Sequence, residues 1–434
     1  MATHDEGKMG LPMTTAFVIS SIIGVAIFML PVALAPLGIN AIIGWLISSI
    51  GAICLGLPLA RVARGGNGIQ APIEETFGST VGFMVTWAFW VSSWSGLAAI
   101  AIGAASTISR LVPGFANPGS VALLSASLIA LTFLVNVRGA RASGGMAIVI
   151  ALLKILPLIA VVFLVALKAA AKEPLQPLWT HPISIASVAT ATALTLYAFT
   201  GFEIVSAPVD KIHEPNRAIP RALVIGLAIV TLFYLTTSTS VMLLLPADQV
   251  ARSPAPFADA VGTSWGEIAA SLMVVGIAIS AFGCIGCTAM QGGELCYSMA
   301  LRGDVPKTLT WVNSRGAPVL SQLVSSGLAI ILVLSNANRS TAGLYTLVIL
   351  VAEVAVLILY IVAALAAWVR ERTLGTRALV LASIIFCAFA FYGSGLEASL
   401  WGLGLATSAL PVRAISRRLS RSGSALTAAQ RPSS

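Results

Sequence analysis

Twelve apolar blocks, most of them about 20 residues long, make up nearly the whole chain, and a helix of that length crosses about 30 Å of hydrocarbon. They run over residues 11–36, 39–60, 82–108, 121–137, 144–167, 185–208, 222–245, 268–301, 318–334, 344–368, 378–392 and 398–410. Charged residues, 9% of the chain against about 25% in a soluble protein, lie almost entirely between the blocks. This pattern predicts an all-α membrane protein with about 12 transmembrane helices and excludes an ordinary soluble enzyme. Cys54, Cys284, Cys287, Cys296 and Cys387 all fall inside apolar blocks, so no disulfide framework is expected.

The formal net charge of +9 is explained by where the charges sit. With residues 1–10 cytoplasmic, nineteen of the 25 lysines and arginines fall in loops on that side and five on the other. Cytoplasmic loops retain positive charge, so the expectation is that both termini face the cytoplasm, with no nucleic-acid partner. Residues 1–10 lack the features of a signal peptide, and 411–434 read as a disordered cytoplasmic tail. Trp179, Trp265, Trp311 and Trp368 lie near span ends, as interfacial anchors do. The glycine-rich stretch 64–78 reads as an interfacial or partly re-entrant segment.

Two spans carry the same internal signal. In the first, Gly24 precedes Pro31 by seven residues, and in the sixth Gly201 precedes Pro208 by seven. Spans one and six would open two five-span halves of opposite orientation, the arrangement of a five-plus-five (5+5) inverted repeat. Either the glycines allow close helix packing, or they mark breaks whose freed backbone groups face a cargo. The matched position in both halves favours the breaks.

Four ionisable residues fall inside spans: Lys154, Glu203, Glu294 and Glu353. A charge facing lipid costs at least about 2.5 kcal/mol, so each is expected to face the bundle interior. Glu203, two residues past Gly201, is either a proton-coupling carboxyl or a neutral group capping freed amides. Lys154 either replaces a bound cation near a broken helix or snorkels to the interface. Glu294 is close enough to the cytoplasmic end to be interfacial, and Glu353 has no motif around it. Cys284-Ile-Gly-Cys287 reads as packing, as does the helical stripe Trp87, Trp90 and Trp94. No metal or nucleotide motif is present, and no cofactor is expected.

As a set, Lys8-Met-Gly, Gly24-x-x-Ile-Phe-Met-Leu-Pro31, Ala198-Phe-Thr-Gly-Phe-Glu203, Glu214-Pro-Asn-Arg-Ala-Ile-Pro220, Gly303-Asp-Val-Pro306 and Val312-Asn-Ser-Arg-Gly-Ala-Pro318 resemble the amino acid, polyamine and organocation (APC) permeases. Within them the chain is similar to the basic amino acid/polyamine antiporters, which include arginine/agmatine and putrescine/ornithine exchangers. The resemblance implies one transporter domain over 11–410, with inverted repeats at about 11–167 and 185–368 and two extra helices in 378–410. It also implies alternating access, often in a homodimer.

On the same resemblance, cargo lies between Ile22-Ile23-Gly24-Val25-Ala26 and Tyr197 to Glu203, including Gly201. Amides of Val25 and Ala26 would hold a carboxylate, and carbonyls of Ile22, Tyr197 and Thr200 an ammonium. Ser93, Leu97 and Thr288 would shape the pocket. The family's usual Gly-Ser-Gly is Gly24-Val25-Ala26 here, and Leu97 and Thr288 stand where the arginine exchanger has an asparagine and a tryptophan. A cationic head would lose those partners, which predicts a neutral amino acid cargo. Lys154 resembles a lysine that stands in for sodium, and Glu203 would carry any proton coupling. The expectation is a sodium-independent exchanger or proton-linked permease. A polyamine or basic amino acid antiporter is the alternative, and a non-transporting sensor the reading from a different class.

Overall fold

The computed structural model describes residues 9–63, 70–115, 117–138, 144–179, 182–203 and 212–418, with the side chains at 113 and 144–151 excepted. Its helices are α1 (Leu11–Ile22), α2 (Leu30–Leu34), α3 (Ile39–Val62), α4 (Gln70–Phe77), α5 (Ser79–Ser109), α6 (Pro118–Val137) and α7 (Gly144–Ala170). They continue as α8 (Ile185–Phe199), α9 (Pro215–Leu244), α10 (Ala247–Arg252), α11 (Pro256–Leu301), α12 (Val319–Ser335), α13 (Thr341–Arg370) and α14 (Leu374–Thr407). Among the described residues, eight helices are long and apolar enough to cross a membrane, and α1, α8 and α12 are shorter apolar helices. Side-chain oxygens mark several starts: Asn117 accepts from Ser120 N, Ser184 from Ser187 N, Ser340 from Gly343 N and Thr373 from Thr376 N. Each such cap satisfies an orphan amide and is worth about 1 kcal/mol.

The apolar blocks therefore became helices, with shifted ends. Helix α9 starts at Pro215, where proline's missing N–H costs nothing in a first turn. Helix α11 starts twelve residues before the expected span, and Gly266, at φ +83°, separates its first segment from the rest. The two short spans expected at 378–392 and 398–410 are joined in α14 across Gly395, at φ +74°. The tail differs from expectation. Residues 409–418 are helical, and Arg413 is buried with its Nε donating to Asp304 at 2.8 Å, so a charge expected in a disordered segment is paired instead. The rest of that tail, 419–434, lies outside the described residues, as do Lys8, 64–69 of the glycine-rich stretch, and Pro208. Of that stretch, 70–77 forms α4, tied by Glu74 to Arg302 and by Glu75 to Arg370.

Packing places α5 and α13 at the centre, the most enclosed of the long helices. Each packs on the other, with α14 against α13 and α11 against α5. Lipid is as apolar as leucine, so close approach rather than water exclusion holds such helices together. Gly44 of α3 shows this: a Cβ there would fall 2.5 Å from Ala191 Cβ of α8. The Trp87, Trp90 and Trp94 stripe of α5 forms a second apolar cluster with Phe83 and Met299, in keeping with the packing reading. Trp179, Trp265, Trp311 and Trp368 are exposed, as anchors require. Ahead of α1, Met9 makes a parallel bridge with Ile212, fastening the start of the chain to the segment before α9.

Candidate functional site

Both expected interruptions are present. After α1 the backbone is extended at Ile23 and Gly24, turns once through a 3-10 segment at Val25–Phe28, and enters α2. Helix α8 ends at Phe199; Thr200 is extended, and Gly201 takes φ +114°, a conformation that strains any residue bearing a side chain. Residues 204–211 lie outside the described residues. The two interruptions meet: a Cβ on Gly201 would fall 2.5 Å from the Ser21 carbonyl oxygen and 3.4 Å from Ile22 Cα.

Hydroxyls from distant helices hold the freed backbone groups. Tyr234 of α9 donates to the Ile22 carbonyl at 2.9 Å and accepts from Gly24 N at 3.3 Å. Tyr345 of α13 donates to the Ala26 carbonyl at 2.8 Å. At the second interruption Thr200 Oγ1 donates to the Tyr197 carbonyl at 2.7 Å. Glu203 is buried, and its Oε2 accepts from Gly201 N at 2.9 Å and from the Tyr360 hydroxyl at 3.3 Å. The Tyr360 ring stacks on Phe202, with centroids 5.2 Å apart. Buried groups freed from a helix need such partners. Two of the three carbonyls expected to hold an ammonium, those of Ile22 and Tyr197, are thus engaged within the protein.

The expected pocket residues lie on α5 and α11, both of which pack on Val25–Phe28. Tyr197 OH lies 3.5 Å from the Gly96 carbonyl of α5, and the next residue, Leu97, is fully buried. Ser93 is buried one turn earlier, its hydroxyl without a hydrogen-bond partner among the described residues, and faces Gly292 of α11. Thr288, half-buried, sits one turn before Gly292 on α11. Lys154 is half-buried on α7, within electrostatic range of Cys287 of α11. Glu294 is exposed on α11, which favours its interfacial reading over an interior one.

Sequence reasoning missed Tyr234, Tyr345 and Tyr360, because a tyrosine in an apolar run reads as packing and their partners lie far along the chain. Glu353 was noticed without a role; it is completely buried at the middle of α13. A cavity of about 560 Å³ lies away from the interruptions, lined among others by Pro36, Gln176, Leu178, Met242, Asp248 and Arg252.

Comparison with known proteins gives a family match. Residues 9–408 match the model of the amino acid permease family. The chain is 26% identical over 432 residues to the putrescine transporter PotE of Escherichia coli (strain K12), covering 93% of this chain and 94% of the relative. It is 24% identical over 410 residues to the PotE of Haemophilus influenzae, covering 92% and 94%. To the cadaverine/lysine antiporter of Escherichia coli (strain K12) it is 28% identical over 348 residues, 77% of each chain. These relatives are transporters, not enzymes.

Proposed function

The chain belongs to the amino acid permease family, and on that footing we propose that it is a secondary antiporter of small organic amines, diamines and basic amino acids, in a bacterial inner membrane. The single observation that carries this reading is the contact of Gly201 with Ser21 and Ile22, which joins two interrupted helices at a buried carboxyl, Glu203. Cargo lies between Ile22–Ala26 and Tyr197–Glu203, with amides of Val25 and Ala26 open to a carboxylate where the cargo has one. The diamine and lysine named for the relatives weigh toward amines. The apolar Leu97 and the absence of a tryptophan at Thr288 weigh toward neutral amino acids, the second reading. The matched breaks support a five-plus-five repeat with twelve crossings, and the nineteen-to-five division of basic loop residues supports cytoplasmic termini. Lys154 fits a sodium-independent carrier, and Glu203 carries any proton coupling.

Counterflow into proteoliposomes preloaded with putrescine tests this directly. Labelled putrescine, cadaverine and lysine should exchange without sodium, at least about tenfold faster than alanine or leucine, a preference worth about 1.4 kcal/mol. Faster exchange of a neutral amino acid would replace the amine reading, a sodium requirement would remove the role of Lys154, and binding without any counterflow would make the protein a sensor.

A further inference from the structure

Helix α13 runs past both interruptions and carries one polar stripe at heptad-like spacing. Near its start Tyr345 bonds the Ala26 carbonyl of the first interruption. Fifteen residues on, Tyr360 bonds Glu203 at the second. Glu353 lies between them, on the same face of the helix.

Glu203 and Glu353 are unlike. Glu203 is held by an amide of its own break and by a tyrosine hydroxyl. Glu353 is wholly buried, and neither carboxyl oxygen has a hydrogen-bond partner among the described residues. Among the described residues, the groups within its electrostatic range are Glu203, Tyr197 of α8, Tyr360 of its own helix and Cys387 of α14, and none of these is a cation. Of the other elements packed on α13, α5 carries no titratable side chain, α3 carries Cys54 and, at its end, Arg61, and α4 carries Glu74 and Glu75. Arg61 is committed to Thr376 and Glu371. A buried acid without a partner is opposed in its charged form until a cation arrives.

We propose that Glu353 is the binding residue for the second ammonium group of a diamine, a role that rests on the amine-antiporter reading. One ammonium of the cargo lies at the interruptions and the other reaches Glu353 past Tyr197. On binding, the carboxyl O–H bond breaks, the proton leaves to water on the open side of the carrier, and the carboxylate pairs with the ammonium that arrives. A cargo with one ammonium leaves Glu353 protonated. The two cargo types therefore differ by one proton in what they displace.

Cadaverine and pentylamine, which share a carbon chain and differ by one amine, test this on the purified full chain. In the wild type, cadaverine binding should release about one proton more than pentylamine binding, read with a pH indicator in weak buffer. Glu353→Gln should weaken cadaverine about tenfold or more, leave pentylamine within about twofold, and abolish the difference in proton release. Equal release by the two amines in the wild type would overturn the proposal whether or not the variant folds, as would an unchanged cadaverine-to-pentylamine affinity ratio in Glu353→Gln. If cadaverine and lysine exchange in proteoliposomes while that ratio stays unchanged, the inference alone fails. If no amine binds or exchanges in the wild type, the antiporter reading fails with it.

Discussion

The two interruptions occupy matching places in their spans and are built by different chemistry. At the first, Gly24 is extended at φ −104°, ψ −179°, a backbone any residue can adopt, and neutral tyrosine hydroxyls hold the freed groups. At the second, Gly201 sits at φ +114° against the Ser21 carbonyl, and a carboxyl folds back onto its amide. The first break thus keeps its charge-free amides, suited to an anionic group, while the second carries the acid. A shared sequence signal, a glycine seven residues before a proline, covers two different constructions.

The largest test of that contrast is a pair of alanine substitutions. Gly201→Ala should cost about 3 kcal/mol or more, from a left-handed backbone and a Cβ driven into the Ser21 carbonyl. Gly24→Ala should cost no more than about 1 kcal/mol, since the nearest heavy atom to its Cβ is the Ile22 oxygen at 3.8 Å. Thermal unfolding in detergent compares them, and equal losses would erase the distinction.

Next in size is Glu203→Gln, which keeps the shape and removes the titrating group. Exchange should fall about tenfold at its best pH, the worth of a charge-assisted bond, and its pH profile should flatten while cargo binding persists. A variant with the full wild-type profile would make Glu203 structural and bring the two breaks closer in kind. Smaller again are the tyrosines. Tyr234→Phe loses two hydrogen bonds and should cost about 1–2 kcal/mol; Tyr345→Phe loses one and should cost about 1. A denaturant titration that reversed their order would move the main support of the first break from α9 to α13. The smallest effect is expected from Ser93→Ala, within about 0.5 kcal/mol in stability because its hydroxyl has no partner to lose among the described residues. A changed cargo affinity in that variant would place α5 in the pocket.

Much of this was legible in the chain. Uninterrupted apolar runs mark the helices because lipid leaves the backbone no other way to satisfy itself within a segment. The paired glycines mark the breaks because glycine weakens a helix and, at Gly201, takes a backbone conformation that side chains resist. What escaped is long-range. Nothing near Tyr234 or Tyr345 in sequence announces a carbonyl more than two hundred residues away, and burial of Glu353 among apolar neighbours looks the same in sequence whether its carboxyl is paired or not. The start of α11 was missed because Pro256–Trp265 mixes polar and apolar residues and precedes a glycine turn, so hydropathy alone begins the span after it.

Trp45 of α3 is buried, with its ring 5.7 Å from Phe199, the last residue of α8, and 5.5 Å from Tyr234, whose hydroxyl bridges Ile22 and Gly24. An indole in that position is an optical sensor already installed at both interruptions. Its emission depends on the rings beside it, so a rearrangement that pulls Tyr234 from the first break or turns Phe199 at the second should change its intensity without any attached dye. With the other eight tryptophans replaced by phenylalanine, the protein would report cargo binding in its own ultraviolet fluorescence.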